Sequence, residues 1–154
     1  MRGLILSALL LVAPPALGAD VWQQVDTNPG AYWVAASGGR QLEVHCNMTE
    51  GYPSLMMVLF GGEQPLPPQV ESEGELVLAV TLWPSALTDA VVGSWLGPFD
   101  NAVNGDFPSN EAFLNEFVRA DRLEIKGPEG VTLFDAPLTG AKWARFGFGE
   151  VCGV

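Results

Sequence analysis

Histidine, basic residues and cysteine are all scarce in this sequence. It has one histidine, two cysteines, and seven lysines and arginines against 18 aspartates and glutamates. One histidine and two cysteines are too few for a zinc site, which needs several such ligands. The formal net charge of −11 disfavours nucleic acid and anionic lipid as partners, because both are negatively charged. It permits a cation or a basic protein surface instead.

Catalytic and nucleotide-binding motifs are also missing. The sequence contains neither a Gly-x-x-x-x-Gly-Lys phosphate loop nor a Gly-x-Gly-x-x-Gly turn. The single histidine, His45, falls on the polar face of a predicted strand, and Ser94 lacks the glycine spacing of a nucleophile elbow. We therefore expect a protein that is not an enzyme. A hydrolase that uses acidic residues is the alternative, although nothing in the sequence singles out a pair of them.

The amino-terminal segment has the pattern of a secretory signal peptide. Arg2 precedes an apolar run over residues 4–12, and small residues at 16–19 follow two prolines. The run is shorter than the roughly 20 residues that a membrane-spanning helix needs. The pattern predicts that residues 1–19 are cleaved and that residues 20–154 are exported as a single domain. We expect it to be periplasmic or secreted, with no transmembrane segment after cleavage.

Both cysteines lie in the segment that is predicted to be exported. Cys46 alternates with Leu42 and Val44 on the apolar face of a predicted strand, where a buried disulfide would be placed. An oxidising compartment favours pairing of two such cysteines. The sequence thus predicts a Cys46–Cys152 disulfide. The loop that it closes has about a hundred residues, for which the chain-entropy estimate is roughly 4–5 kcal/mol.

Short alternating segments separated by turn residues predict a mainly β fold, namely a single β-sandwich-like domain. The alternation is clearest over residues 75–83, where every second residue is leucine or valine. Residues 123–126 and 131–134 flank the turn Gly127-Pro128-Glu129-Gly130 and predict a hairpin. Residues 84–98 fit a strand or a helix equally well.

One or two short helices are expected near the carboxyl terminus. An apolar stripe predicts the first helix over 110–120, with Ser109 or Asn110 as its N-cap. The stripe consists of Phe113, Leu114, Phe117 and Val118. Residues 141–151 predict a second helix, although Gly147 and Gly149 weaken that prediction.

Residues 100–111 match part of the twelve-residue calcium loop. Asp100 falls at position 1, Asn104 at 5, Gly105 at 6 and Glu111 at 12. Asp106 would contribute its carbonyl, whereas Ala102 lacks the ligand expected at position 3. The segment therefore predicts, at most, a weak calcium site. A surface loop rich in turn-forming residues is the simpler interpretation, and no other cofactor is expected.

Five tryptophans are many for a chain of this length. Tryptophan is enriched at binding hot spots, but the core of a β-sandwich uses it as well. We therefore expect most of the tryptophans to lie in the core. Trp95 is flanked closely by Gly93 and Gly97 and is the one most available for binding. Trp83, just before Pro84 on the mixed face of its strand, is a second candidate for exposure.

Apolar residues, two small residues and the two cysteines follow one another in a recognisable order, mostly in the carboxyl-terminal part of the chain. The positions are Trp22, Leu42, Val44, Cys46, Phe113, Leu114, Phe117, Val118, Leu123, Ile125, Phe134, Leu138, Gly140, Ala144, Phe146 and Cys152. This order resembles that of a known group of proteins. These proteins are small periplasmic proteins of Gram-negative bacteria, including the accessory family associated with type VI secretion. The resemblance implies a periplasmic β-rich domain with no established chemistry, in which a strand cysteine pairs with one in a C-terminal helix. Together with the composition, it suggests an exported domain that binds a protein or a cell-envelope component.

Overall fold

Antiparallel strands dominate the structure, a computed structural model that describes residues 21–25, 32–47, 53–71 and 74–154. The predicted signal peptide, residues 1–19, lies outside this range. The described strands form one sheet in the order β1-β2-β3-β4-β7-β6-β5-β8-β9. Their bounds are β1 Trp22–Gln24, β2 Tyr32–Ser37, β3 Arg40–Asn47, β4 Ser54–Phe60, β5 Glu75–Trp83, β6 Leu87–Trp95, β7 Ala102–Phe107, β8 Arg122–Lys126 and β9 Thr132–Pro137.

The helical segments are short, and most of them follow β7. They are α1 Pro68–Glu71, α2 Glu111–Phe117 and α3 Ala141–Gly147, with a 3-10 turn at Pro128–Gly130 and a π-helical turn at Phe148–Cys152. The prediction of a mainly β fold with short helices near the carboxyl terminus is confirmed. In the described ranges, no helix is long and apolar enough to span a membrane.

The sheet curls, and the face that it encloses contributes the hydrophobic core. Strand β5 buries Leu76, Leu78, Val80 and Leu82 on one face, whereas Val77 on the other face is exposed, as the alternation predicts. The curl brings β2, next to the edge strand β1, against the other edge strand β9. Side-chain hydrogen bonds rather than a strand ladder connect this part of the sheet to β9. The hydroxyl of Ser37 donates to the carbonyl of Asp135, and the guanidinium of Arg40 donates to the carbonyl of Leu133.

Aromatic side chains fill the space between the sheet and the helices. Phe117 of α2 is at the centre of this cluster, with its ring centroid 5.1 Å from that of Trp22 and 5.8 Å from that of Phe107. The Asn110 side chain caps α2 by accepting a hydrogen bond from the Phe113 N–H at 2.9 Å, so Asn110 is the N-cap of the two residues predicted. The apolar stripe is corrected at one position, because Val118 is the C-cap of α2 and is 40 % exposed.

The predicted disulfide between Cys46 and Cys152 is confirmed, with the two Cα atoms 5.4 Å apart. It ties β3 to the π-helical turn that follows α3. The second predicted helix, over 141–151, is regular only as far as Gly147. Its last turn widens, consistent with the low helix propensity of the two glycines.

Residues 84–98, which fit either strand or helix, contain the strand β6. It pairs with β5 over eight register positions, from Glu75–Ser94 to Leu82–Leu87. Its outward-facing residues Thr88, Ala90, Val92 and Ser94 alternate with inward-facing ones, of which Val91 and Gly93 are buried. Because the outer face of β6 carries both polar and small apolar residues, its sequence does not alternate clearly between apolar and polar positions.

Candidate binding surface

The residues of the predicted calcium loop do not surround one point. Ala102–Phe107 form strand β7, and Asn104 and Asp106 are paired with Val58 and Met56 of β4. Asp100 precedes this strand and Glu111 begins α2 beyond it. A six-residue strand spans roughly 17 Å, so the two acids at positions 1 and 12 lie at opposite ends. The twelve-residue loop conformation is therefore wrong for this segment, because strand pairing on β4 extends it. Calcium binding stays a prediction that this geometry does not support.

Trp95 is less available than its flanking glycines suggested. It lies at the end of β6, pairs with Val103 of β7, and is partly buried against the hydrophobic core. The neighbouring turn contains Phe99, whose side chain is fully exposed, and Leu96, which is 40 % exposed. The turn therefore offers one isolated aromatic ring, and Trp95 itself serves largely as packing.

His45 and Glu43 are adjacent on the outer face of β3, as the alternation predicted. The His45 Nε2 atom lies 3.8 Å from Glu43 Oε2, and the histidine side chain is 23 % exposed. Burial lowers the pKa of His45, and the neighbouring Glu43 carboxylate opposes that shift. The imidazole is thus held toward its neutral form at neutral pH.

A second polar cluster lies on the outer face of β5, β8 and β9, around the buried Glu124. The Glu124 carboxylate accepts from Trp83 Nε1 at 3.1 Å and from Thr132 Oγ1 at 3.4 Å, with Lys126 Nζ at 3.6 Å. The Arg122 guanidinium lies over the Trp83 ring, 5.5 Å from its centroid. Because these groups satisfy one another across the strands, we assign the cluster a structural role.

The C-terminal helix α3 exposes two aromatic side chains. Trp143 is 56 % exposed and Phe146 is 63 % exposed, and their spacing of three residues places them on one side of the helix. The opposite side of the helical segment faces the core through Ala141, Ala144 and Phe148, which are all buried. Helix α3 is thus apolar on both sides, although only one side packs within the described part of the chain.

Positive charge accompanies this exposed aromatic face. The Lys142 ammonium lies 5.1 Å from the centroid of the Trp143 ring, a cation–π geometry. Lys142 forms no ion pair with the described side chains. By contrast, Arg122 pairs with Asp135 at 2.9 Å. We call Lys142, Trp143 and Phe146 the α3 aromatic face.

The α3 aromatic face was not predicted from the sequence. Trp143 was expected in the core with most of the other tryptophans, because the core of a β-sandwich uses aromatic side chains in the same way. A signal was available, since Trp143 and Phe146 are out of phase with Ala141, Ala144 and Phe148 on a 3.6-residue period. A helix with aromatic residues on both sides has more apolar surface than one sheet contact can cover.

Comparisons with protein-family models, curated proteins and solved structures found no match to this chain.

Proposed function

We propose that this protein is an exported, non-enzymatic binding domain that docks a partner protein on the α3 aromatic face. The observation that supports this most strongly is the joint exposure of Trp143 and Phe146 beside Lys142. Tryptophan is among the residue types most enriched at hot spots of protein–protein binding. A partner with an apolar pocket edged by acidic groups would complement the two rings and the lysine.

The two rings are expected to contribute enough binding free energy to determine the affinity for the partner. Truncation of one hot-spot residue typically costs 2 kcal/mol or more. A loss of roughly 2–4 kcal/mol for both rings corresponds to an affinity about 30-fold to 1,000-fold lower. Loss of one exposed ring that touches no partner would leave the affinity unchanged.

Export to the periplasm is part of the same proposal. The signal-peptide pattern over residues 1–19 supports export, and the Cys46–Cys152 disulfide is compatible with an oxidising compartment. The resemblance to periplasmic proteins associated with type VI secretion supports a role at the cell envelope. We therefore propose that the partner is a periplasmic protein or a component of the cell envelope.

Affinity capture with paired variants tests this proposal. Residues 20–154, with the disulfide intact, are immobilised and exposed to periplasmic extract as the original protein, as Trp143→Ala/Phe146→Ala, and as Phe99→Ala. The third protein is the matched control, because it removes a fully exposed ring elsewhere. We expect one captured protein to be retained by the original and the control and lost by the double variant.

The captured protein is then purified and its affinity is measured by titration calorimetry. The proposal predicts a dissociation constant at least about 30-fold higher for Trp143→Ala/Phe146→Ala and unchanged for Phe99→Ala. Equal capture by all three proteins, or equal dissociation constants, would show that the α3 aromatic face is not the docking site.

A further inference from the structure

Glu43 is a mostly buried acid on the outer face of β3. Its side chain is only 12 % exposed, and its Oε2 atom lies 3.8 Å from His45 Nε2. Its Oε1 atom accepts a hydrogen bond from Gln41 Nε2 at 2.6 Å. The described ranges include every lysine and arginine of the sequence except Arg2, and within them none forms an ion pair with Glu43. Glu43 thus lacks the cationic partner that a mostly buried carboxylate normally has.

The neighbouring imidazole does not supply a positive charge at neutral pH. Burial lowers the pKa of His45, and the Glu43 carboxylate only opposes this shift, so the ring is held toward its neutral form. Glu124, in contrast, is 8 % exposed and has Lys126 Nζ at 3.6 Å from its carboxylate. Withdrawing a carboxylate from water without such a partner is unfavourable. A cation from outside the chain would therefore gain more at Glu43 than at Glu124.

A cavity of about 300 Å³ lies next to Glu43, and we call it the β3 pocket. Ala36 of β2 is paired with Gln41 of β3, and Gln41 is paired with Phe60 of β4. Glu43 follows Gln41 by two residues, so all four side chains belong to the outer face of the sheet. The lining consists of Ala36, Gly39, Arg40, Gln41, Glu43, Phe60 and Gly62.

The one basic residue in this lining is already engaged elsewhere. The Arg40 guanidinium donates to the carbonyls of Thr132 and Leu133 on β9, whereas the Glu43 carboxylate belongs to the outer face. At the same end of the pocket, a methyl group added to Gly62 would lie 2.1 Å from the Gly39 carbonyl oxygen. The two turns are thus in direct contact, and the pocket is bounded there by backbone.

The pocket combines an aromatic ring with a carboxylate, a pair of groups that favours an organic cation. Phe60 is partly exposed, and the face of an aromatic ring attracts positive charge. Each carboxylate oxygen has room for a second donor, so Glu43 can accept more hydrogen bonds beside the one from Gln41. A guanidinium is planar, pairs with both oxygens of a carboxylate and stacks on aromatic rings, whereas an ammonium does neither. The volume is at the lower end of the range for ligand sites and suits a single side chain.

We propose that the β3 pocket binds an arginine side chain of a partner protein. The guanidinium pairs with the Glu43 carboxylate and lies against the Phe60 ring, and Gln41 holds the carboxylate in position. The formal net charge of −11 favours the approach of a basic partner. The pocket shares no residue with the α3 aromatic face, so either surface can fail its test without the other.

Peptide titrations followed by nuclear magnetic resonance test the proposal. Isotope-labelled residues 20–154, with the disulfide intact, are titrated with acetyl-Gly-Arg-Gly-amide and with matched peptides that carry lysine or citrulline in the central position. Citrulline keeps the shape of arginine and removes its charge. We expect saturable shifts of the amides at 36–43 and 60–62 with the arginine peptide, and binding at least about tenfold weaker with citrulline. No saturable shift at millimolar concentration, or equal affinity for the lysine or citrulline peptide, would overturn the proposal.

Matched protein variants locate the site. Glu43→Gln should weaken binding of the arginine peptide at least about tenfold and remove the preference over citrulline. Phe60→Leu should weaken it about two- to fivefold through loss of the ring. Glu75→Gln, which changes an exposed acid on β5, should have no effect, as should Trp143→Ala/Phe146→Ala. Equal loss with Glu75→Gln would mean non-specific attraction to an acidic protein and would contradict the proposal.

Thermal unfolding supplies a measurement that needs no ligand. Because Glu43 has no lysine or arginine partner, Glu43→Gln should leave the melting temperature unchanged or raise it. Glu124→Gln should lower it, since that change removes the charge that Lys126 neutralises. A melting temperature lowered as much by Glu43→Gln as by Glu124→Gln would show that the Glu43 charge is already satisfied within the protein, and would contradict the proposal.

Discussion

Replacement of Phe117 by alanine should destabilise the protein severely. Its side chain is fully buried, and its ring centroid lies 5.1 Å from that of Trp22, 5.8 Å from that of Phe107 and 6.5 Å from that of Phe148. A buried phenylalanine changed to alanine typically costs 3–5 kcal/mol, because the cavity collapses only in part. We expect the upper half of that range, about 4–5 kcal/mol, since three aromatic partners lose their contacts at once.

Urea unfolding, followed by circular dichroism, measures this loss. Phe117→Leu keeps most of the volume and should cost less than about 1.5 kcal/mol. Phe146→Ala is the matched control, since it removes the same side chain from an exposed position and should change stability by no more than about 0.5 kcal/mol. A loss below about 1 kcal/mol for Phe117→Ala would refute the placement of α2 against the sheet.

Three further predictions concern the disulfide, a loop and the histidine. Alkylation of the exported, non-reduced protein, followed by mass spectrometry, should find Cys46 and Cys152 both protected, and two free thiols would contradict the structure. Asn101 accepts from the Leu66 N–H and donates to the Gly62 and Gln64 carbonyls from a backbone with φ 46°. Asn101→Ala should therefore lower the free energy of unfolding by about 2–4 kcal/mol. Asn101→Gly should lower it by roughly 1 kcal/mol less, because glycine tolerates that φ. Equal losses for the two variants would argue against a contribution from the backbone conformation. Because burial lowers the pKa of His45 from 6.5, the unfolded chain binds the proton more readily, so stability should fall as the pH drops below about 6.5. His45→Gln should flatten that part of the melting-temperature profile, and an unchanged slope would contradict the shift.

Features that depend on local pattern were predictable from the sequence. The alternation over 75–83 identified the two faces of β5, and the two cysteines with an inward-facing strand position identified the disulfide. The capping residue and apolar stripe of α2 are local as well, and only Val118 was misplaced. These features are encoded in neighbouring residues, so one sequence is sufficient to find them.

Features that depend on distant pairing were not predictable in the same way. Residues 100–111 resemble a calcium loop when they are considered alone. Their conformation is decided instead by pairing of β7 with β4, whose register positions lie more than forty residues earlier. The adjacency of β2 and β9 likewise depends on strand order and on how the sheet curls. Nothing in the local alternation specifies that order.

The position of the α3 aromatic face could not be predicted from local sequence either. The composition indicated that aromatic residues were plentiful, and Trp95 was chosen because glycines flank it. Exposure depends on which side of a helix the fold covers, and here Ala141, Ala144 and Phe148 take the inner side. Trp143 and Phe146 are consequently left outside.

The most direct test of the proposed docking site is photo-crosslinking in living cells. The photoreactive residue benzoylphenylalanine is placed at Trp143 in one strain and at Phe99, an equally aromatic and fully exposed position, in another. The proposal predicts a discrete crosslinked adduct with one partner protein from position 143 and none of that adduct from position 99. Absence of any adduct at position 143, or the same adduct from both positions, would contradict docking on the α3 aromatic face.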